Sequence, residues 1–452
     1  SLAVSTLLAA LLLPFFNQLI DKKLVLFTQN NINTWLVILG VTMLTGLAAG
    51  LYPAFYLAKF MPVHVLKGQV ITAAGGAFLR KGLVTFQFII SIVMITSIIT
   101  ISNQLNYIRT KKLGFDKDNM LMIQNIGRVS NKEAMKEEFR KMPAIKSAGA
   151  ADGVLGGQNW ANNIRAKDRT DQVLLNFLTV DYDFLSTMNV SFKEGRNFSK
   201  EFGKDSLGIV LTETAVKELG IKEPVVGSQI VWGEQDTVIV YAEVIGVVKD
   251  FHFSNFHEPI KPFGFVLDEP RNSRINTLFV KLASSDADNA IAHVQSVWKK
   301  MMPEQPLEFT FQDEQLSLLH RSESKFEKLF GYLTFLAILI ACLGLFGLAS
   351  FTAEQKTKEI GIRKVLGATI QSLVTLLSKD FLKLVFIAVL IASPLAWYFM
   401  RNWLQDFAYR VQINWWVFVV AGCMALMIAL LTVSFQAIKA AIANPVRSLR
   451  SE

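Results

Sequence analysis

The sequence predicts an α-helical transmembrane bundle with six crossings, carrying an extracytoplasmic mixed α/β domain on helical stalks. Three observations predict it. Apolar residues gather in long blocks free of Asp and Glu. Lys and Arg collect in alternate short connections. One long stretch between blocks has ordinary soluble composition, with strand-like and helix-like segments alternating.

Crossing ~30 Å of hydrocarbon takes about 20 apolar residues. The candidate blocks are Leu2–Phe16, Trp35–Leu57, Leu83–Ile101, Phe330–Phe351, Phe381–Met400 and Trp415–Phe435. Their one charge is Lys383, near the end of its block. Trp35, Trp397, Trp403, Trp415 and Trp416 sit at block ends, as an interfacial aromatic belt requires. The hydrophobic fraction is 52% and the mean hydropathy +0.36, only modestly above a soluble domain, because the long middle stretch dilutes the blocks. Leu2–Phe16 has neither the basic flank nor the small-residue cleavage site of a signal peptide. It reads as a membrane helix shortened at its start, so the chain is expected to be part of a longer protein.

The formal charge is +9, and its placement sets orientation. The connection Ala58–Gly82 holds Lys59, Lys67, Arg80 and Lys81 with no acid. Thr352–Asp380 holds Lys356, Lys358, Arg363, Lys364 and Lys379, and the tail holds Lys439, Arg447 and Arg450. Asn17–Thr34 and Arg401–Asn414 hold two basic residues each. The positive-inside rule puts the first three segments in the cytoplasm and Tyr107–Lys325 outside. No basic run is interleaved with aromatics, so nucleic acid is not an expected partner. Cys342 and Cys423 lie in apolar blocks and read as small core residues, not a disulfide or metal pair.

The outer stretch supplies strand candidates at Met120–Asn125, Val173–Val180, Leu207–Leu211, Thr237–Val248, Phe263–Leu267 and Thr277–Leu282. Ser130 and Glu133 form a capping-box pattern for a helix over Lys132–Lys141. Further helices are expected at Glu213–Leu219, Ala287–Met301 and Asp313–Lys328. From Asp313 to Phe330 no Pro or Gly interrupts the chain before the block ending near Phe351. A continuous helix there would be ~57 Å long against ~30 Å of hydrocarbon. The block from Leu83 likewise continues through Asn103–Lys112. Both are expected to project as stalks. The expected organisation is 1–68 and 69–82 (two membrane helices and a cytoplasmic linker), 83–106 (a membrane helix), 107–325 (the outer domain with its stalks) and 326–452 (three membrane helices and an inner helix over 354–373).

Ala54–Lys67 and Ala437–Arg450 align on Pro62–Val63 and Pro445–Val446, and each follows a block that begins with Trp. Pro ends a helix at the interface, which gives the match a physical role. The pattern reads as an internal duplication whose first copy is incomplete.

The inner connection Glu354–Leu373 places Ile362, Val365, Leu366, Thr369, Ile370 and Leu373 at helical spacing, with Arg363, Lys364 and Gln371 opposite. That is a short amphipathic helix on the inner surface, serving either as an interfacial anchor or as a partner-binding face. Gly361 and Gly367 cost ~1 kcal/mol each in a helix, which fits close approach of a partner or a turn at a helix end.

Lys358–Ala368, with Glu359, Ile360, Gly361, Ile362, Arg363, Lys364, Val365, Leu366 and Gly367 in sequence, resembles the cytoplasmic signature of FtsX/MacB-type ABC permeases. The Pro62–Val63 and Pro445–Val446 tails resemble that family's closing motif. Glu243–Phe253 with His257–Ile260, and Glu194–Phe198, resemble the MacB periplasmic core domain. The likeness covers essentially the whole chain and is greatest to the duplicated permeases of Bacteroidetes. It implies that Glu359–Ala368 is a coupling helix docking on a separate ABC ATPase subunit. It further implies a multi-pass protein of the cell inner membrane, paired as a homodimer or pseudo-dimer of permease units. ATP hydrolysis would move the periplasmic domain, by mechanotransmission, to export or extract a peptide, lipoprotein or antibiotic, with a periplasmic adaptor or substrate protein as a further partner. Regulation of a periplasmic cell-wall hydrolase is the alternative within the family. A membrane-anchored sensor is a third reading, disfavoured because every inner segment is short.

The chain has no GxxxxGK[ST], so it is not expected to hydrolyse ATP or to hold a cofactor. His252 and His257, near Asp250 and Glu258, lack a recognised metal-ligand spacing and read as a turn closing a strand. Gly46 and Gly50 form a GxxxG that predicts close helix packing. No nucleophile–His–carboxylate group or paired-carboxylate site is evident, so no enzyme activity is expected.

Overall fold

The computed structural model describes all residues except 1, 22, 26–31, 59–73, 112–113, 130, 156, 158, 204, 236–237, 252–257, 269–272, 284–285, 320 and 443–452. The tails at Pro62–Val63 and Pro445–Val446, and His252 and His257, therefore lie outside the described residues. The chain forms two units. One comprises Ser1–Asn103, Ser324–Arg401 and Gln412–Glu452, and the other Gln104–Glu323 and Asn402–Val411.

The first unit is helical. Its helices are α1 (Leu2–Ile20), α2 (Ile32–Ala58), most of α3 (Ala74–Thr110), α9 (Arg321–Gln355), α10 (Thr357–Val365), α11 (Ile370–Gln405) and α12 (Trp415–Ile442). Among the described residues, four spans are long and apolar enough to cross a membrane: Leu2–Ile20, Phe78–Thr110, Glu323–Gln355 and Trp415–Lys439. The other two expected blocks lie in α2, whose apolar part is the shorter Trp35–Leu51, and in α11, which contains Pro394. Length and composition thus support four of the six expected crossings among the described residues.

The bundle core follows small-residue spacing. Ala388, Ala392, Ala421, Ala425 and Ala429 are buried, with Val84, Phe88, Ile92 and Leu345 packed among them. Small side chains let helix backbones approach, which is how membrane helices gain packing energy without a hydrophobic driving force. Hydroxyls tie α3 to α9 in both directions: Ser91 Oγ of α3 donates to Ala337 O at 3.2 Å, and Thr334 Oγ1 of α9 donates to Met94 O at 3.4 Å. Two expectations fail here. Among the described residues nothing lies within 4 Å of a Cβ placed on Gly46 or Gly50, so no described helix packs on that GxxxG. Cys423 is exposed and Cys342 half-buried, so neither is a core residue, because both fall on helix faces turned away from the packed seam.

The second unit is a mixed α/β domain. Its first part is an antiparallel sheet in the order β11 (Phe309–Phe311), β1 (Met120–Ile123), β10 (Thr277–Leu282), β2 (Ile145–Ala151). Strand alternation sends Leu121, Ile123, Leu278 and Val280 to a core under α4 (Lys132–Arg140) and α7 (Ala287–Met301). It sends Met120, Met122 and Phe279 to a second core rich in phenylalanine. The second part is a closed ring. β4 (Val173–Val180) pairs with β3 (Trp160–Ala166), β3 with β7 (Gln229–Gln235), and β7 with β8 (Val238–Val248). β8 pairs with β6 (Gly208–Thr212), β6 with β9 (Phe263–Leu267), and β9 in parallel with β4. Closure removes the exposed edges that an open sheet would present. The short β5 (Phe192–Gly195) adds to β8, and β2 joins the two parts at Ala151↔Val180.

β2 reads IKSAGAA, which is poor strand sequence. Gly149 explains it: a Cβ there would lie 2.6 Å from the Phe184 backbone of α5 (Phe184–Thr187). The strand needs small residues because a helix presses on it. The helix over Lys132 is present, but its cap is Asn131, whose side chain accepts from Ala134 N at 2.9 Å; Ser130 is outside the described residues. α8 (Gln312–Leu319) and α9 are separate described helices on either side of residue 320, and α9 alone has 35 residues, ~52 Å at 1.5 Å each. α3 begins at Ala74, not Leu83, and has 37 residues.

Candidate functional site

The segment with the cytoplasmic signature is not one helix over 354–373. Lys356 separates α9 from α10, and α10 ends at a left-handed Gly367 with φ of 87°. Ala368 N donates to Arg363 O at 2.9 Å and Gly367 N to Lys364 O at 3.1 Å, the paired hydrogen bonds of a Schellman cap. Thr369 Oγ1 then accepts from Ser372 N at 3.3 Å, capping α11. The expected stripe is therefore split. Leu373 belongs to the next helix, and Ile360, not Ile362, faces inward: it is buried with Leu373 and Ala437. Ile362 is 52% exposed and Leu366 80% exposed. The side chains of Val365 and Ile370, and the burial of Gly361, lie outside what the structure describes.

Charges on α10 suit its dipole, with Glu359 in the first turn and Arg363 and Lys364 in the last. Arg363 donates to Glu359 at 2.8 Å, one turn away, and Lys356 pairs with Asp380 of α11 at 3.7 Å. The result is a rigid hook. Ile360 anchors it to the bundle, a glycine cap fixes its end, and two large apolar side chains project. Gly367 serves the turn, since nothing among the described residues lies within 4 Å of a Cβ there. Gly367→Ala should therefore cost only the left-handed backbone term, ~1–2 kcal/mol, seen as a small drop in the melting temperature of the full chain.

In the α/β domain the two sequence motifs come together. Gly195 pairs with Gly246 across β5 and β8. A Cβ on Gly246 would lie 2.6 Å from Arg196 O, and one on Gly195 2.4 Å from Ile245 O. Arg196 clasps the buried Asp205 through two 2.7 Å hydrogen bonds. That guanidinium and the Ser199 N–H hold the Asp205 carboxyl below its ordinary range, outweighing burial, which pushes it up. The Asp250 carboxylate accepts from Thr214 N at 2.9 Å and Thr214 Oγ1 at 2.8 Å, closing the first turn of α6 (Glu213–Leu219). The described parts of these motifs fix backbone. Gly246→Val should destabilise the domain by ~2–4 kcal/mol, measured by denaturant unfolding of the full chain.

One ionic group was not foreseen. Lys136 is 1% exposed, and its Nζ lies 2.6 Å from Glu133, 2.7 Å from Asp181 and 2.8 Å from Asp183. Arg140 reaches Asp183 at 2.7 Å and the Ala148 carbonyl at 2.9 Å. Three carboxylates at this spacing resemble a cation site, but the lysine ammonium fills it. Burial opposes charge on Lys136, yet the carboxylates hold its pKa above the ordinary lysine value. Burial pushes Asp181 up; Asp183 and Glu133, though burial raises both, are held down by their basic partners. Glu133 and Lys136 lie one helical turn apart, but Asp181 and Asp183 follow β4, so no local pattern signals the group.

The loop 402–411 groups with this domain. Gln104, fully buried on α3, donates to Tyr409 O at 2.8 Å and accepts from Val411 N at 2.9 Å, while Lys111 stands 3.4 Å over the Tyr409 ring.

Long apolar helices and an α/β domain carried between two of them define a membrane protein with a large extramembrane module. Residues 331–445 match the FtsX-like permease C-terminal family and residues 83–297 the MacB-like periplasmic core domain. The chain is an ABC transporter permease of the FtsX/MacB type. Partial structural likeness is found to the periplasmic region of MacB from Actinobacillus actinomycetemcomitans. The identity there is 14%, over 47% of this chain and 97% of that one, with a TM-score of 0.34. The extracellular domain of the noncanonic ABC-type transporter YknZ from Gram-positive bacteria gives 10%, over 43% and 99%, with a TM-score of 0.32. No curated relative matches the chain.

Proposed function

We propose that this permease transmits the work of a separate ATPase subunit to its α/β domain, and that α10 with its glycine cap, Glu359–Ala368, is the docking element. The observation that carries the reading is the pair of exposed apolar residues, Ile362 and Leu366, on a hook whose other face is anchored by Ile360. Large apolar groups held out on a rigid support are what a partner groove recognises. ATP is bound by the partner. Six crossings in the cell inner membrane put α10 on the cytoplasmic side and the α/β domain outside. The packing of loop 402–411 with the α/β domain supports that topology, since an even number of crossings places both on one face. Helices α3 and α9, longer than the ~30 Å hydrocarbon, would carry the motion outward. Pairing of permease units and export or extraction of a peptide, lipoprotein or antibiotic complete the proposal. The test is co-expression with the ATPase subunit: association and permease-dependent ATP hydrolysis are expected, and failure of the full chain to bind any ABC ATPase would overturn it.

A further inference from the structure

Lys383 is the one charge inside an expected hydrocarbon block, and docking at α10 does not use it. It lies one turn from Lys379 on α11. Both are exposed, and among the described residues neither makes an ion pair or hydrogen bond. The acid between them, Asp380, turns to Lys356. The two lysines line a groove of about 840 Å³ between α11 and α12, whose lining runs along α11 from Val374 to Ile387. Its α11 wall is Leu382, Phe386 and Ile387, and its α12 wall is Leu426 and Leu430, each set at helical spacing. Ser378, 4% exposed, also lines the groove, and its buried hydroxyl has no hydrogen-bond partner among the described residues.

We infer that this groove is a binding site for an anionic phospholipid. The apolar walls take acyl chain. The two lysines, whose Cβ atoms stand about 5–6 Å apart at one turn of helix, take the phosphate with their ammonium groups, and the Ser378 hydroxyl offers a donor beside them. A buried unpaired hydroxyl costs ~1–3 kcal/mol, so a polar ligand group at this spot removes a penalty as well as adding charge attraction. Lysine stems follow an apolar wall while their heads stay at headgroup depth. Unpaired cations on an apolar groove at the inner end of a membrane helix match the anionic cytoplasmic leaflet in charge and in position. The inference rests on the reading above that α11 crosses the bilayer with its start on the cytoplasmic side.

The full chain is extracted from membranes holding phosphatidylglycerol and phosphatidylcholine in equal amounts, and retained lipid is measured by native mass spectrometry. Wild type should keep phosphatidylglycerol. Lys379→Gln with Lys383→Gln should lower its preference over phosphatidylcholine about thirtyfold, or about fivefold per lysine. Leu430→Trp, which fills the apolar part and keeps both lysines, should lower retention of either lipid. Equal retention of the two lipids by wild type, or an unchanged preference in the double variant, would overturn the site. So would efficient disulfide dimerisation of Phe386→Cys in membranes, which would show that a second copy covers the groove. A Thr375→Cys variant labelled from each side of the membrane reads the topology independently: labelling from outside sinks the orientation, whatever the lipid result.

Discussion

A chain carrying Ile362→Asp and Leu366→Asp should lose its ATPase subunit while keeping membrane insertion and fold. Both side chains are largely exposed, so neither contributes to the core. Each is a large apolar group on a short helix held rigid by a glycine cap. Burying such an anchor in a partner groove is worth about 2 kcal/mol or more, and an aspartate in its place adds an unpaired charge to a desolvated pocket. The pair should weaken association by at least about a thousandfold, a loss that pull-down and ATPase stimulation both read. Ile360→Asp is the control with a different signature. Ile360 packs on Leu373 and Ala437, so its loss should lower thermal stability as well as association. Retained association in the double variant would remove α10 from the docking role.

Lys136→Met should destabilise the α/β domain by about 3–5 kcal/mol, because Asp181, Asp183 and Glu133 would then share a site with no ammonium between them. Denaturant unfolding of the full chain in detergent, followed by tryptophan fluorescence, measures it. Adding Asp181→Leu should recover part of the loss, since the penalty is an uncompensated charge more than a missing contact. A loss under about 1 kcal/mol would show that water reaches the group. The pH dependence follows from the shifts. Glu133 and Asp183 titrate below their ordinary range, so their stabilisation is present above that range and lost as pH falls through their lowered values. Lys136 titrates above its ordinary value, so its share is complete below that value and lost as pH rises through the folded pKa. Asp181, raised by burial, has the opposite sign to its neighbours and blunts the acid limb. Stability should form a plateau between about pH 5 and about pH 10.

Strands rich in β-branched and aromatic residues were legible, as at Val173–Val180, Phe263–Leu267 and Thr277–Leu282. Those chosen for packing were not. β2 is made of small residues because α5 presses on Gly149, and β3, with two Asn, carries a polar face. A periodicity count registers side chains, not the helix that will press on them. The same blindness joined α10 to α11. A 3.6-residue pattern runs through Gly367 unbroken, while its left-handed backbone turns the chain.

By itself the sequence determined the membrane character, the place of the α/β insertion and the segment that bears the cytoplasmic signature. These rest on composition and local order, which act along the chain. Only the tertiary structure decided which face of that segment projects, which residue anchors it, and why the Gly195 and Gly246 motifs occur. It also decided that Lys136 gathers the carboxylates that follow β4 and that Lys379 and Lys383 line a groove shared with α12. Each depends on residues distant in sequence brought within a few ångströms, where burial sets the strength of a charge and the absence of a Cβ sets how closely two backbones approach.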